Sequence, residues 1–207
     1  MYTLATLGGR VDQVATARDT YHHGDLRAAC LNAALELLEE GDEAGLSLRA
    51  VARRAGVSPN APYRHYSDKD DLLAALATHG FQDLRRTLLA AEATAAPGEE
   101  LATLAQAYVR FALDHQALFR LMFGRPCDDR HPETRAAADE TYAVLAARVA
   151  AVNTRLGSRQ AAFMAGSWAL VHGLASLVLY GKLARDSNPG EVSTLVKAVV
   201  DAMCGPA

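Results

Sequence analysis

Two short runs of apolar residues at helical spacing meet at Gly56, and each opens on a serine, Ser47 or Ser58, in the place of a helix N-cap. A third serine, Ser67, precedes a longer run of the same period. Two short helices joined by a tight glycine turn and buttressed by a third form the helix-turn-helix pattern, whose second helix enters a DNA major groove. Between Ser47 and Ser67 stand Arg49, Arg53, Arg54 and Arg64 with no acidic residue, although the net charge of the chain is −3. A nucleic-acid contact would therefore come from a local patch and not from bulk charge.

Around this stretch the pattern is helical throughout, with no strand signal and no repeat. Leu26, Cys30, Ala33, Ala34, Leu37 and Leu38 give one buried face to a helix over about 25–40, with Asp25 at its start and Gly41 at its end. The acidic run Glu39, Glu40, Asp42 and Glu43 reads as a solvated turn. Ser47 caps a short helix with Leu48, Val51, Ala52 and Ala55 inward. Ser58 starts the next with Pro59 at its first position. Pro62 then deletes a backbone donor, so a tight or 3₁₀-like first turn is expected. Ser67 to Asp70 has capping-box spacing for a helix reaching about Thr94, and Ala95-Ala96-Pro97-Gly98 breaks it.

Beyond the break the spacing predicts helices over about 99–115, around Leu118 to Phe123, from Pro132 to before Gly157, over about 158–184, and from Asn188-Pro189-Gly190-Glu191 to the end. About nine helices result. The chain divides into an arm (1–20), a head (21–70), a connecting helix (71–96) and a body (97–207). Gln160 to Gly181 carries no charge and is long enough for a bilayer. Its Gly, Ala, Ser, Gln, His172 and Trp168 favour instead a fully buried soluble helix, with no membrane partner. Three scattered cysteines without a CxxC pair fit a reducing cytoplasm. The loop Cys127 to His131 and the pair His22-His23 hold ligand types without a second cluster, so neither metal nor cofactor is expected.

The run Ser47-Leu48-Arg49-x-Val51-Ala52-x-x-Ala55-Gly56-Val57-Ser58, followed by Tyr63-Arg64-His65-Tyr66-x-x-Lys69-x-x-Leu72-Leu73, resembles the tetracycline-repressor family of bacterial transcription regulators. The match spans about 24–80. Trp168-x-x-x-His172-Gly173 resembles a Trp-x-x-x-His-Gly subgroup of that family. The resemblance implies an all-α chain, with a three-helix DNA-binding head and a helical body that dimerises and encloses a small-molecule pocket. It implies a homodimer on double-stranded DNA at a palindromic operator, released by a small-molecule effector, and no enzymatic activity.

The candidate DNA contacts are Ser47, Arg49, Ser58, Pro59, Asn60, Ala61, Tyr63, Arg64, His65 and Lys69. Asn suits adenine and Arg suits guanine in the major groove, although Arg64 suits a phosphate contact equally well, whereas Tyr66 suits the core. Candidate pocket residues are Tyr108, Phe111, Phe119, Met122, Met164, Trp168 and His172. Leu170, Leu174, Leu177, Leu195 and Val199 are candidate interface residues. For Trp168 and His172 simple packing, with the histidine satisfied by a carbonyl, is the favoured alternative to a pocket wall. Two other readings are a ligand-independent regulator and an enzyme using the body pocket, the latter short of a partner for His172.

Overall fold

A computed structural model describes residues 26–41, 43–125, 129–152, 159–184 and 186–204. The arm, His22, His23, Asp25, Cys127, Asp128 and the Gly157 helix end lie outside them. Among the described residues there are eight α-helices: α1 (Leu26–Glu40), α2 (Leu48–Arg54), α3 (Lys69–Thr94), α4 (Glu100–Asp114), α5 (Gln116–Gly124), α6 (Pro132–Val152), α7 (Gln160–Leu179) and α8 (Pro189–Cys204). A 3₁₀ turn, Pro62–Arg64, lies between α2 and α3.

Local chemistry sets the boundaries. Ser47 accepts from the Ala50 amide at 3.2 Å, and Gly56 turns at φ 68°. Asn188 Oδ1 accepts from the amides of Gly190 and Glu191, while Glu191 reaches back to the Asn188 amide, which completes a capping box. At the start of α3 the box is shifted by one residue. Asp68 is the N-cap and accepts from the Asp71 amide, and the Asp71 carboxylate accepts from the amide and hydroxyl of Ser67.

Two expectations are corrected. No α-helix starts at Ser58. Proline at positions 59 and 62 removes two amides, and the Ser58 carbonyl takes the Ala61 amide three residues on. The Arg64 amide bonds Ala61 and that of His65 bonds Pro62, again at i−3 spacing, so the segment stays a 3₁₀ turn. The uncharged helix α7 is shorter than expected and is not fully buried. It stops at Leu179 because Gly181 (φ 61°) reverses the chain and the Lys182 amide closes onto the Leu177 carbonyl. Only 22% of its most apolar window is buried within the chain, although it is long and apolar enough to cross a membrane.

The core runs from head to body without a gap. Tyr66 is 2% exposed, and its hydroxyl reaches the Arg27 carbonyl at 3.5 Å, which fastens the 3₁₀ turn onto α1. Helix α3 spans both regions and packs against α4, α5 and α6, while α4 packs against α7 and α8. Gly80 allows α3 to approach α5 closely, since a Cβ there would lie 2.6 Å from Met122 Sδ. The two regions therefore share one continuous set of helix contacts.

Candidate nucleic-acid interface and body cleft

In the acidic run at the end of α1, Glu39 and Glu40 stay exposed, but both of them and Glu43 have fixed partners. Glu40 and Glu36 both bind Arg54, which holds the Arg54 guanidinium pKa up and that of Glu40 down through the shared hydrogen bond. Glu43 binds Arg125, which also binds Asp70 at 2.9 Å, and Arg130 reaches Asp68 and Asp70. Glu39 accepts from the amides of Ala117 and Leu118, the first turn of α5. No side chain next to α5 in sequence caps that helix, so a carboxylate from the head caps a helix of the body.

What remains uncovered is informative. Arg49, Arg53 and Arg64 are exposed and make no ion pair among the described residues, whereas the nearby Arg54, Arg125 and Arg130 are each neutralised. Ser47, Ser58, Pro59, Asn60 and His65 are exposed beside them, as is Tyr63 at 49%. Of the ten expected DNA contacts, two sit differently. Ala61 turns inward and is buried under the 3₁₀ turn, which removes it from the surface set. Lys69 is half-buried, and its ammonium donates to the Glu43 carbonyl, tying α3 to the loop before α2. Arg53 was absent from the expected set. Its signal was the sign-pure run between Ser47 and Ser67.

In the body, the expected pocket residues separate into three groups. Tyr108 and Trp168 line a cleft among α3, α4, α6, α7 and α8, together with Leu88, Leu101, Leu104, Ala105, Leu145, Ser167, Leu170, Val171 and Val200. Its free space, counting the open mouth, is ≈ 500 Å³. Phe119 and His172 line a neighbouring cleft of ≈ 370 Å³ with Phe123, Ser176 and Tyr180. Phe111, Met122 and Met164 are buried and line neither, Met122 being spent on filling the space beside Gly80.

One hydrogen bond joins the two clefts. Tyr108 Oη lies 2.9 Å from His172 Nδ1. Burial pushes the Tyr108 phenol far above its ordinary pKa and His172 below its own, so both are uncharged at neutral pH. Tyr108 is 2% exposed and its O–H needs an acceptor, so the phenol donates to Nδ1 and the ring proton sits on Nε2. Trp168 stands edge-on to Tyr108 at 5.7 Å and stacks near-parallel to His172. The Trp168–His172 spacing thus serves packing and lining together, and the histidine's partner is a side chain from α4.

The expected interface residues also separate. Leu177 is 47% exposed; Leu170, Leu195 and Val199 are half-buried; Leu174 is buried against the chain's own core and does not belong to an outer face. Ala162, Ala165, Gly166 and Ala169 continue the exposed, uncharged stripe of α7. A Cβ added at Gly166 or Gly173 would meet nothing within 4 Å. Among the described residues, no group of three or more His, Cys, Asp or Glu could hold a metal ion.

Comparison with known proteins agrees with this architecture. A model described as bacterial regulatory proteins, tetR family, matches residues 31–76, and one described as tetracyclin repressor-like, C-terminal domain, matches residues 101–203. The chain belongs to the tetR family of bacterial regulatory proteins. It is 35% identical over 113 residues to an HTH-type transcriptional regulator of Mycobacterium tuberculosis, covering 53% of this chain and 48% of that protein. The chain thus spans about half the length of the curated relatives it matches. A solved protein of unknown function from Rhodococcus sp. RHA1 is 34% identical, with a TM-score of 0.75 over 90% of this chain and 97% of that one. A tetR-family regulatory protein from Rhodococcus RHA1, 22% identical, shares the fold at a TM-score of 0.66 over 88% of this chain and 98% of that one.

Proposed function

We propose that this chain is a cytoplasmic, DNA-binding transcriptional repressor that acts as a homodimer on a palindromic operator and is released by a small molecule in the body cleft. The observation that carries the reading is the set of unpaired arginines around the 3₁₀ turn. Among the described residues Arg49, Arg53 and Arg64 have no ion pair, whereas Arg54, Arg125 and Arg130 are each matched by a carboxylate. Arg64, Asn60 and His65 are the candidate base readers, while Arg49, Arg53, Tyr63 and the spare donors of Lys69 hold phosphates.

Dimerisation is supported by α7. An uncharged outer stripe of Ala, Gly and Leu177 is an unusual surface to leave in water, and the open space at Gly166 and Gly173 suits close approach of a second helix. A second copy would cover α7 and the Leu195–Val199 side of α8. Two heads on one rigid pair of bodies then read two half-sites about one helical turn apart. A ligand that favours a different spacing releases the DNA.

The test is a gel shift of the pure protein on DNA flanking its own gene. Arg49, Arg53 and Lys69 in each head give about six phosphate neutralisations per dimer, so log K should fall against log salt with a slope of roughly −5. Arg64→Ala should relax sequence preference. A shift without sequence preference, or a salt slope near zero, would overturn the reading.

A further inference from the structure

Building on the proposal that the body cleft holds an effector, we infer that the effector is an uncharged, predominantly apolar molecule carrying no more than a hydrogen-bond acceptor. Among the described residues the lining contains no charged side chain from any of the five helices that form it. Its polar side-chain groups are few, and most are already engaged. The Tyr108 hydroxyl is committed to His172, and Ser167 is 9% exposed with an interaction of its own. The remaining lining is Leu, Val and Ala apart from Trp168, whose indole N–H donates no hydrogen bond within the described chain. A carboxylate, phosphate or ammonium placed here would lose its hydration and meet no counter-charge. A hydrocarbon or aromatic body would bury against Leu88, Leu104 and Val171 and stack on Trp168, and a carbonyl or ether oxygen could accept from the indole.

The charged groups of the body are directed elsewhere. Arg148 on α6 pairs with Glu92 at 2.7 Å and with Glu100. Lys197 on α8 pairs with Glu99 and Asp201. The neighbouring cleft differs in this respect, since Arg120 lines it. The selection for neutral ligands therefore belongs to the Trp168 side.

Trp168 is the only tryptophan of the chain, so its emission reports occupancy of this cleft. The experiment titrates DNA-free protein with 2-octanone, octanoate and octylammonium, three eight-carbon probes differing in charge, and follows Trp168 emission and the unfolding midpoint. The ketone should change the emission saturably and raise the midpoint with concentration. The two ions should bind roughly 100-fold more weakly or worse. Leu101 lies half-buried at the cleft, and Leu101→Lys should raise octanoate binding above that of the ketone.

Octanoate or octylammonium binding the parent protein as well as the ketone overturns the inference. So does an unchanged order in Leu101→Lys, or no response to any probe up to its solubility. Because no DNA is present, these results are independent of operator binding. A protein that binds the ketone but keeps its operator in its presence refutes the release mechanism alone.

Discussion

The contact between Gly80 and Met122 sets two opposing energies against each other, and the structure decides which prevails. Gly80→Ala removes a glycine from the interior of α3, which is worth about 1 kcal/mol in helix propensity. The new methyl, however, would sit 2.6 Å from Met122 Sδ, 3.0 Å from its Cγ and 3.1 Å from Leu118 Cγ. A methionine tail usually yields, but Met122 and Leu118 are each 3% exposed and have no solvent to swing into. Forcing a methyl into a packed core costs about 1–3 kcal/mol. The balance is a net destabilisation of about 1 kcal/mol, or a fall in midpoint of roughly 2–4 °C for a chain of this size.

The same substitution in a Met122→Ala background should act with the opposite sign. With the thioether gone, the methyl partly fills a cavity and the propensity gain of about 1 kcal/mol is kept. The cycle therefore has a coupling of about 2 kcal/mol. Urea unfolding of the four proteins at one fixed protein concentration measures it. Equal effects of Gly80→Ala in both backgrounds would refute the claim that close approach of α3 and α5 is what demands glycine.

Three further outcomes are expected. Glu39→Ala should cost about 1 kcal/mol of stability, the usual value of a lost cap, and Glu39→Gln should cost less because the amide oxygen still accepts; equal losses in urea unfolding would show that hydrogen bonding to α5 is not its role. Because burial depresses the His172 pKa, its contribution is full above about pH 6.5, the ordinary histidine value, and is lost as pH falls below that toward the folded-state pKa. Stability measured at pH 7.5 and 5.5 should thus drop more in the parent than in His172→Gln. Leu177→Glu places a charge in the exposed stripe of α7 and should shift sedimentation toward monomer while leaving helicity by circular dichroism unchanged.

The local chemistry was readable wherever a side chain acts on its own backbone neighbours. Ser47, Gly56 and the Asn188–Glu191 box end or begin helices through contacts within four residues, so composition and spacing suffice. Even the 3₁₀ turn was foreshadowed by Pro62, although the loss of the whole second helix required both prolines acting on one short segment. The one-residue shift of the cap from Ser67 to Asp68 was a choice between two competent residues, and periodicity does not discriminate at that scale.

By itself the sequence determined the helical chain, the head with its sign-pure stretch, and an apolar body with a single tryptophan beside His172. Only the tertiary structure decided which charges are available. Arg54 and Arg49 look alike in a string of letters, but α1 brings Glu36 and Glu40 to the first and, among the described residues, no carboxylate to the second. It likewise joined Tyr108 to His172 across 64 residues, brought the exposed Glu39 to the first turn of α5 as its cap, and left one side of α7 uncovered. The physical reason is common to all four. Each depends on an opposite charge, an acceptor or a helix face delivered from far along the chain, and sequence periodicity carries no information about which partner arrives.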